Sequence, residues 1–207
     1  MTQNKELSIL VDKTYTTRKD TLKKNIPQYI IIHTTEKNSD FESLYRLHTR
    51  IYQWKGIGYH VFISKGNAYQ TRDYELEGAH CLGLNFNSIG MCIYSGHNNP
   101  FNIDLNIATG VIEHIRSNYG PLPVLSHTLA QIRYINKLSQ QRGINTNIPD
   151  FIELRTYYEF LKTKIEFNDL AEKYSPKMHE YLKNVIQNFK SCPGDGFYKF
   201  IEEMNKK

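Results

Sequence analysis

Six residues constrain this chain more than any others. Gln28-Tyr-Ile-Ile-Ile-His33 is a nearly unbroken β-branched run that follows Asn25-Ile26-Pro27. An apolar stretch of this length has no polar face to offer solvent, so it predicts a strand buried on both sides in the middle of a sheet. A histidine at the end of such a strand sits at the edge of a rigid element, where scaffold positions a side chain for chemistry.

The neighbouring segments build an α/β domain around that strand. Ser39-Asp40 predicts a helix cap, and Leu44, Leu47, His48 and Ile51 recur behind it at helical spacing, with His48 read as structural. Tyr59–Ser64 alternates like a strand, Lys65-Gly66-Asn67 turns, and Ala68–Thr71 returns as a hairpin. Residues 88–94 predict a second buried strand. Asp104 is expected to cap a helix carrying Ile107, Val111, Ile112 and Ile115, ended by Gly120-Pro121, and Val124-Leu125 opens a last short strand. The fold class expected is α/β, with a mixed, mostly central β-sheet flanked by helices.

Two stretches stand apart. Residues 1–27 are polar and lysine-rich and predict an N-terminal extension with at most one short element near Leu7–Val11. In residues 128–188, Phe151, Leu154, Tyr158, Leu161 and Ile165 repeat at 3-4-3-4 spacing, and Ser175-Pro176 opens another amphipathic run through Phe189. This segment predicts a helical hairpin inserted into a domain formed by residues 28–127 and 189–207.

Composition removes several alternatives. With 40% apolar residues and 13% aromatics, the chain is a folding one. Three cysteines, an odd number, argue against a disulfide framework. No run of about 18 apolar residues is present, so no membrane partner is expected. The polar N-terminus has no secretory core, which predicts synthesis in the cytoplasm. The net charge of +5 comes from basic residues scattered among acidic ones, without a basic stripe, so no nucleic-acid partner is expected.

Three residues form a candidate set: His33 at the end of the buried strand, His127 after Val124-Leu125-Ser126, and Cys192 in Cys192-Pro193-Gly194. Two imidazoles and a thiolate leave one position open on tetrahedral zinc, the catalytic arrangement. From spacing alone the commoner reading of the same residues is two packed core histidines and an inert buried thiol, because no pair of them is close in sequence. Cys92 reads as core; Cys81 has no assignment.

Motif order goes further. Tyr29-Ile-Ile-Ile-His33-Thr34-Thr35, Trp54-Lys55-Gly56-Ile57-Gly58-Tyr59-His60, Gly78-Ala79-His80 leading to Asn85-Phe86-Asn87-Ser88-Ile89-Gly90, Leu125-Ser126-His127 and Lys190-Ser191-Cys192-Pro193-Gly194 follow one another along the chain. In this order they resemble the type-2 N-acetylmuramoyl-L-alanine amidases, a family that includes amidase-type phage lysozymes and peptidoglycan recognition proteins. The resemblance covers roughly residues 26–127 and 189–203. It implies the peptidoglycan-recognition fold, one zinc ion held by His33, His127 and Cys192, and catalytic roles for Tyr59 and Lys190. Substrate contacts are expected at Trp54, His80 and Asn85. The implied reaction is hydrolysis of the amide between N-acetylmuramic acid and the L-alanine of the stem peptide, as in a phage endolysin acting on the wall after release, or on wall fragments in the cytoplasm. The alternative is a non-catalytic member that binds peptidoglycan, or that regulates a polymerase, with the helical insertion as the surface for a protein partner. Two departures accompany the resemblance: the 64 residues 128–191 stand where the family has a short loop, and Lys55 stands where an acidic or small residue is common.

Overall fold

The computed structural model describes residues 9–10, 22–35, 40–94, 102–141, 192–193 and 195–207. Of the helical insertion expected over 128–188, residues 142–188, which include its hairpin, lie outside these residues, as does Lys190.

The sheet has six strands: β1 (Ile9–Leu10), β2 (Tyr29–Thr34), β3 (Val61–Ser64), β4 (Asn67–Gln70), β5 (Ser88–Ile93) and β6 (Val124–Ser126). Their order is β1-β4-β3-β5-β2-β6. Among these strands of the described residues only the β3/β4 pair is antiparallel; the other strand pairings are parallel. The β-branched run therefore occupies β2, an inner strand, as its composition requires. The β3/β4 turn is Lys65-Gly66, both with positive φ (52° and 75°), the two-residue geometry that matches the strand twist. The single short element expected near residues 7–11 is β1, paired with β4 at Ile9↔Ala68.

Period-two alternation sorts the strands onto two faces. Ile30 and Ile32 of β2, Ile89, Met91 and Ile93 of β5, Val61 and Ile63 of β3 and Val124 of β6 share one core. Two helices close it: α2 (Asn102–Tyr119), through Val111, Ile112 and Ile115, and the C-terminal α4 (Tyr198–Lys206), through Phe200, Ile201 and Met204. Asp104 departs from its expected role. The helix starts earlier, at Asn102, and the Asp104 carboxylate accepts from the Gly66 amide at 2.8 Å, tying the helix to the hairpin turn.

The opposite face carries α1 (Phe41–Arg46), which a π-turn over Leu47–Ile51 prolongs. The Asp40 side chain accepts from the Ser43 amide at 2.8 Å and caps α1 as its sequence predicts. This face also carries α3 (His127–Gln141). Leu129, Ala130 and Tyr134 of α3 pack with Ile31, Cys81 and Leu125, so the chain from 128 to 141 begins as a helix seated on the sheet. Cys92 lies in a separate cluster with Leu44, Ile57 and Phe62, in agreement with its reading as core.

Candidate metal centre

The site forms at the carboxyl ends of two adjacent parallel strands, the usual crevice for ligands in open α/β sheets. His33 is the fifth residue of β2. Register pairs Ile32 with Ser126, so His127, the next residue after β6, falls beside His33. Their rings lie 4.6 Å apart between centroids. Cys192 completes the group, its Sγ 3.9 Å from His33 Nδ1. The metal-ligating atoms of His33, His127 and Cys192 all lie within 4.8 Å of one another, the one such group of His, Cys, Asp or Glu among the described residues.

Two threonines next to the two histidines hold the cysteine in place. Thr128, following His127, donates its amide and its hydroxyl to the Cys192 carbonyl at 3.2 and 3.3 Å. Thr34, following His33, donates its hydroxyl to the Pro193 carbonyl at 3.2 Å. Thr34 and Thr128 are both buried. Cys192, after the long segment 128–191, thus stands beside the two histidines, and its backbone is held by side chains next to His33 and His127.

Electrostatics favours neutral donors. Burial holds the His33 imidazole well below the usual histidine range, and His127 and His80 push it in the same direction. Burial also lowers His80, followed by His60, His127 and Arg72. Neutral rings keep a lone pair for a metal. The thiols that are not in the group are driven the other way: burial pushes Cys81 up to about 12 and Cys92 well above its ordinary value, so neither offers a thiolate near neutral pH.

The other expected residues fall around this centre in different ways. The Tyr59 ring lies 5.0 Å from the His33 ring, and its side chain hydrogen-bonds Cys92. Trp54 is 38% exposed and packs on His48 at 4.6 Å and Tyr52 at 5.1 Å, an aromatic group open to solvent. Asn85 turns its side-chain oxygen inward, accepting from the His80 and Cys81 amides at 2.8 Å each. His80 also points inward, its Nδ1 3.1 Å from His33 Nε2.

The matching family model is N-acetylmuramoyl-L-alanine amidase, over residues 23–146. The chain belongs to this family. Among curated proteins it resembles the endolysin of Escherichia phage T7, 34% identical over 65 residues, which are 31% of this chain and 43% of that protein. The chain thus spans less than half the length of that relative. Among solved structures it resembles bumblebee PGRP-SA, with TM-score 0.51 and 26% identity over 59% of this chain and 84% of that one. The N-acetylmuramoyl-L-alanine amidase LysC of Clostridium intestinale has TM-score 0.52 and 19% identity over 67% of this chain and 99% of that one. The fold of this amidase-family chain is therefore the expected one.

Sequence reasoning missed Arg72. It is 2% exposed, and its guanidinium donates to the Ile57 carbonyl at 3.0 Å and to the Glu77 carbonyl. One cation therefore ties the turn before Tyr59 to the loop before His80. His60 was quoted only as part of a motif. Its Nδ1 accepts from the Gly90 amide at 3.0 Å, its Nε2 bonds the Leu76 carbonyl at 2.9 Å, and burial lowers its pKa to about 3. Arg72 has no sequence signal and His60 only its place in that motif, because each acts on backbone groups brought together by the fold.

Proposed function

We propose that this chain is a zinc-dependent N-acetylmuramoyl-L-alanine amidase of the phage endolysin type. It hydrolyses the amide between the lactyl group of N-acetylmuramic acid and the L-alanine of the peptidoglycan stem peptide. The observation that carries this reading is the His33, His127 and Cys192 group with its ligand atoms within 4.8 Å. The donor set fits zinc. Bond lengths of about 2.0–2.3 Å put tetrahedral ligand atoms about 3.3–3.8 Å apart, and His33 Nδ1 and Cys192 Sγ stand at 3.9 Å. Three protein donors leave a fourth position for water or substrate, which separates a hydrolytic centre from a closed structural one.

When bound, zinc supplies Lewis acidity toward the scissile carbonyl and a water nucleophile active near neutral pH. The chain's own residues do the rest. His33 and His127 present lone pairs from rings fixed at strand ends. Tyr59, beside His33, and Lys190, two residues before Cys192, are assigned as donors to the oxyanion that forms as water adds to the lactyl carbonyl. Trp54 offers an exposed flat ring for a sugar face. The presence of the thiol with both histidines favours hydrolysis over wall binding alone.

The test is zinc content by mass spectrometry, together with release of amine ends from purified peptidoglycan, for the wild type and Cys192→Ala. One zinc per chain and cleavage, both lost in the variant, are expected. A wild type that cleaves without zinc, or a Cys192→Ala protein that keeps both, contradicts the reading.

A further inference from the structure

His80 stands behind His33 in a chain of hydrogen bonds whose direction can be worked out from its far end. Ser88, fully buried on β5, is 2.6 Å from the Leu84 carbonyl. A carbonyl only accepts, so the single Ser88 hydroxyl proton is committed to it. Toward His80 Nε2, at 3.5 Å, Ser88 Oγ is then an acceptor, and Nε2 carries the His80 proton. A neutral imidazole has one N–H and one lone pair, which leaves the lone pair on His80 Nδ1. Its partner at 3.1 Å, His33 Nε2, must therefore donate. His33 Nδ1 is left bare, and it is the nitrogen that faces Cys192 Sγ.

We propose that His80 is a positioning residue that fixes the tautomer of His33, so that Nδ1 holds its lone pair toward the metal centre. The inference rests on the zinc reading above and deepens it. The sheet is built to admit this ring. Gly90, paired with Ile31 of β2, would bring a Cβ within 2.5 Å of His80 Cγ, and Gly78 would bring one within 2.4 Å of His80 Cδ2. Two glycines open the space, and Asn85 holds the His80 amide. A ligating histidine commonly has its second nitrogen oriented by a carboxylate or carbonyl; here a second histidine takes that place, itself oriented by a serine.

Two measurements test this. Long-range proton–nitrogen NMR on histidine-labelled wild type, with and without zinc, should show His33 protonated at Nε2 and bare at Nδ1. A metal-free protein with the His33 proton on Nδ1 overturns the proposal, whatever any variant does. Zinc affinity by chelator competition should fall about 10–100-fold in His80→Phe, which keeps the ring but has no acceptor. His80→Asn, whose side-chain oxygen can stand near the position of Nδ1, should recover most of that loss. A folded His80→Phe protein that binds zinc as tightly as wild type also overturns it. A wild type that binds no zinc sinks the proposed function, while the tautomer in the metal-free protein still decides the role of His80.

Discussion

Gly90→Ala tests how tightly the sheet surface and the metal centre are coupled. An added Cβ at Gly90 would sit 2.5, 2.6 and 2.7 Å from His80 Cγ, Cδ2 and Nδ1, against ordinary carbon contacts of about 3.5–4.0 Å. Something must retreat by about 1 Å. The strand is poorly placed to do so: the Gly90 amide donates to His60 Nδ1 at 3.0 Å, its carbonyl accepts from the His60 amide at 2.8 Å, and β5 is flanked by β3 and β2. Gly78 crowds the other side of the ring. The imidazole must then leave its present place, at the expense of its 3.1 Å contact with His33. Overpacking of this kind costs about 1–3 kcal/mol, and the lost hydrogen bond adds about 0.5–1.5 kcal/mol. Removing a strand glycine returns about 0.5–1 kcal/mol. The net loss of about 0.5–4 kcal/mol corresponds to a melting temperature lower by about 1–16 °C at this chain length. Calorimetry with and without zinc reads the first effect, and chelator competition reads a weaker metal affinity alongside it. A Gly90→Ala protein with unchanged melting temperature and unchanged zinc affinity would refute the reasoning, because the ring would then have room that these distances deny.

Other consequences are more direct. Tyr59→Phe should keep zinc content while lowering turnover on peptidoglycan by about 10²–10³-fold if the phenol serves the oxyanion; near-normal turnover removes that role. Arg72→Met should cost about 1–3 kcal/mol for the buried Ile57 carbonyl it strands, and less for the half-buried Glu77 carbonyl, read by urea unfolding; an unchanged midpoint would mean that the loops do not depend on it. His48 and His60, lowered to about 4 and about 3, are neutral in the folded chain between those values and about 6.5, while the unfolded chain takes up protons there. Their contribution is complete above about pH 6.5 and is lost as pH falls, by about 2–3 kcal/mol each at pH 4.5. Urea midpoints of metal-free protein that do not drop between pH 7 and 5 would contradict this.

The strands and the grouping of His33, His127 and Cys192 were legible because their signals are local. A short apolar run rich in β-branched residues favours an inner strand, and histidines at strand ends and a cysteine beside a proline are visible as letters. The glycine spacing of Gly56-Ile57-Gly58 was also visible, but its cause was not. A Cβ at Gly58 would lie 2.2 Å from the Ala79 carbonyl, on the loop that delivers His80. His80 and Asn85 looked like loop residues available to substrate. Their polar atoms face His33 and the loop's own amides, and Gly90, on the strand that follows the loop, leaves room for the His80 ring. The supports of this centre act through backbone carbonyls and amides, and every residue type has those, so sequence carries no mark of them.

The return of Cys192 can be argued from magnitudes. Closing 64 residues rather than an eight-residue loop spans three doublings of length, about 0.6 kcal/mol each, or about 2 kcal/mol in total. Against this stand three hydrogen bonds to the Cys192-Pro193 backbone, worth about 0.5–1.5 kcal/mol each. Phe197 adds a side chain with no exposed surface four residues later, worth about 1.5–3 kcal/mol on burial. The anchors outweigh the closure cost, so the cysteine's position depends on where it lands more than on what carries it there. The double variant Thr34→Val and Thr128→Val removes the two hydroxyl donors and leaves the Thr128 amide bond. It should fold, because the strands and α3 keep their apolar contacts, but its zinc affinity should fall by about tenfold, the equivalent of about 1.4 kcal/mol. Chelator competition with both singles and the double closes the cycle. Full wild-type affinity in the double variant would show that the core contacts of Phe197 and α4 alone set the place of Cys192.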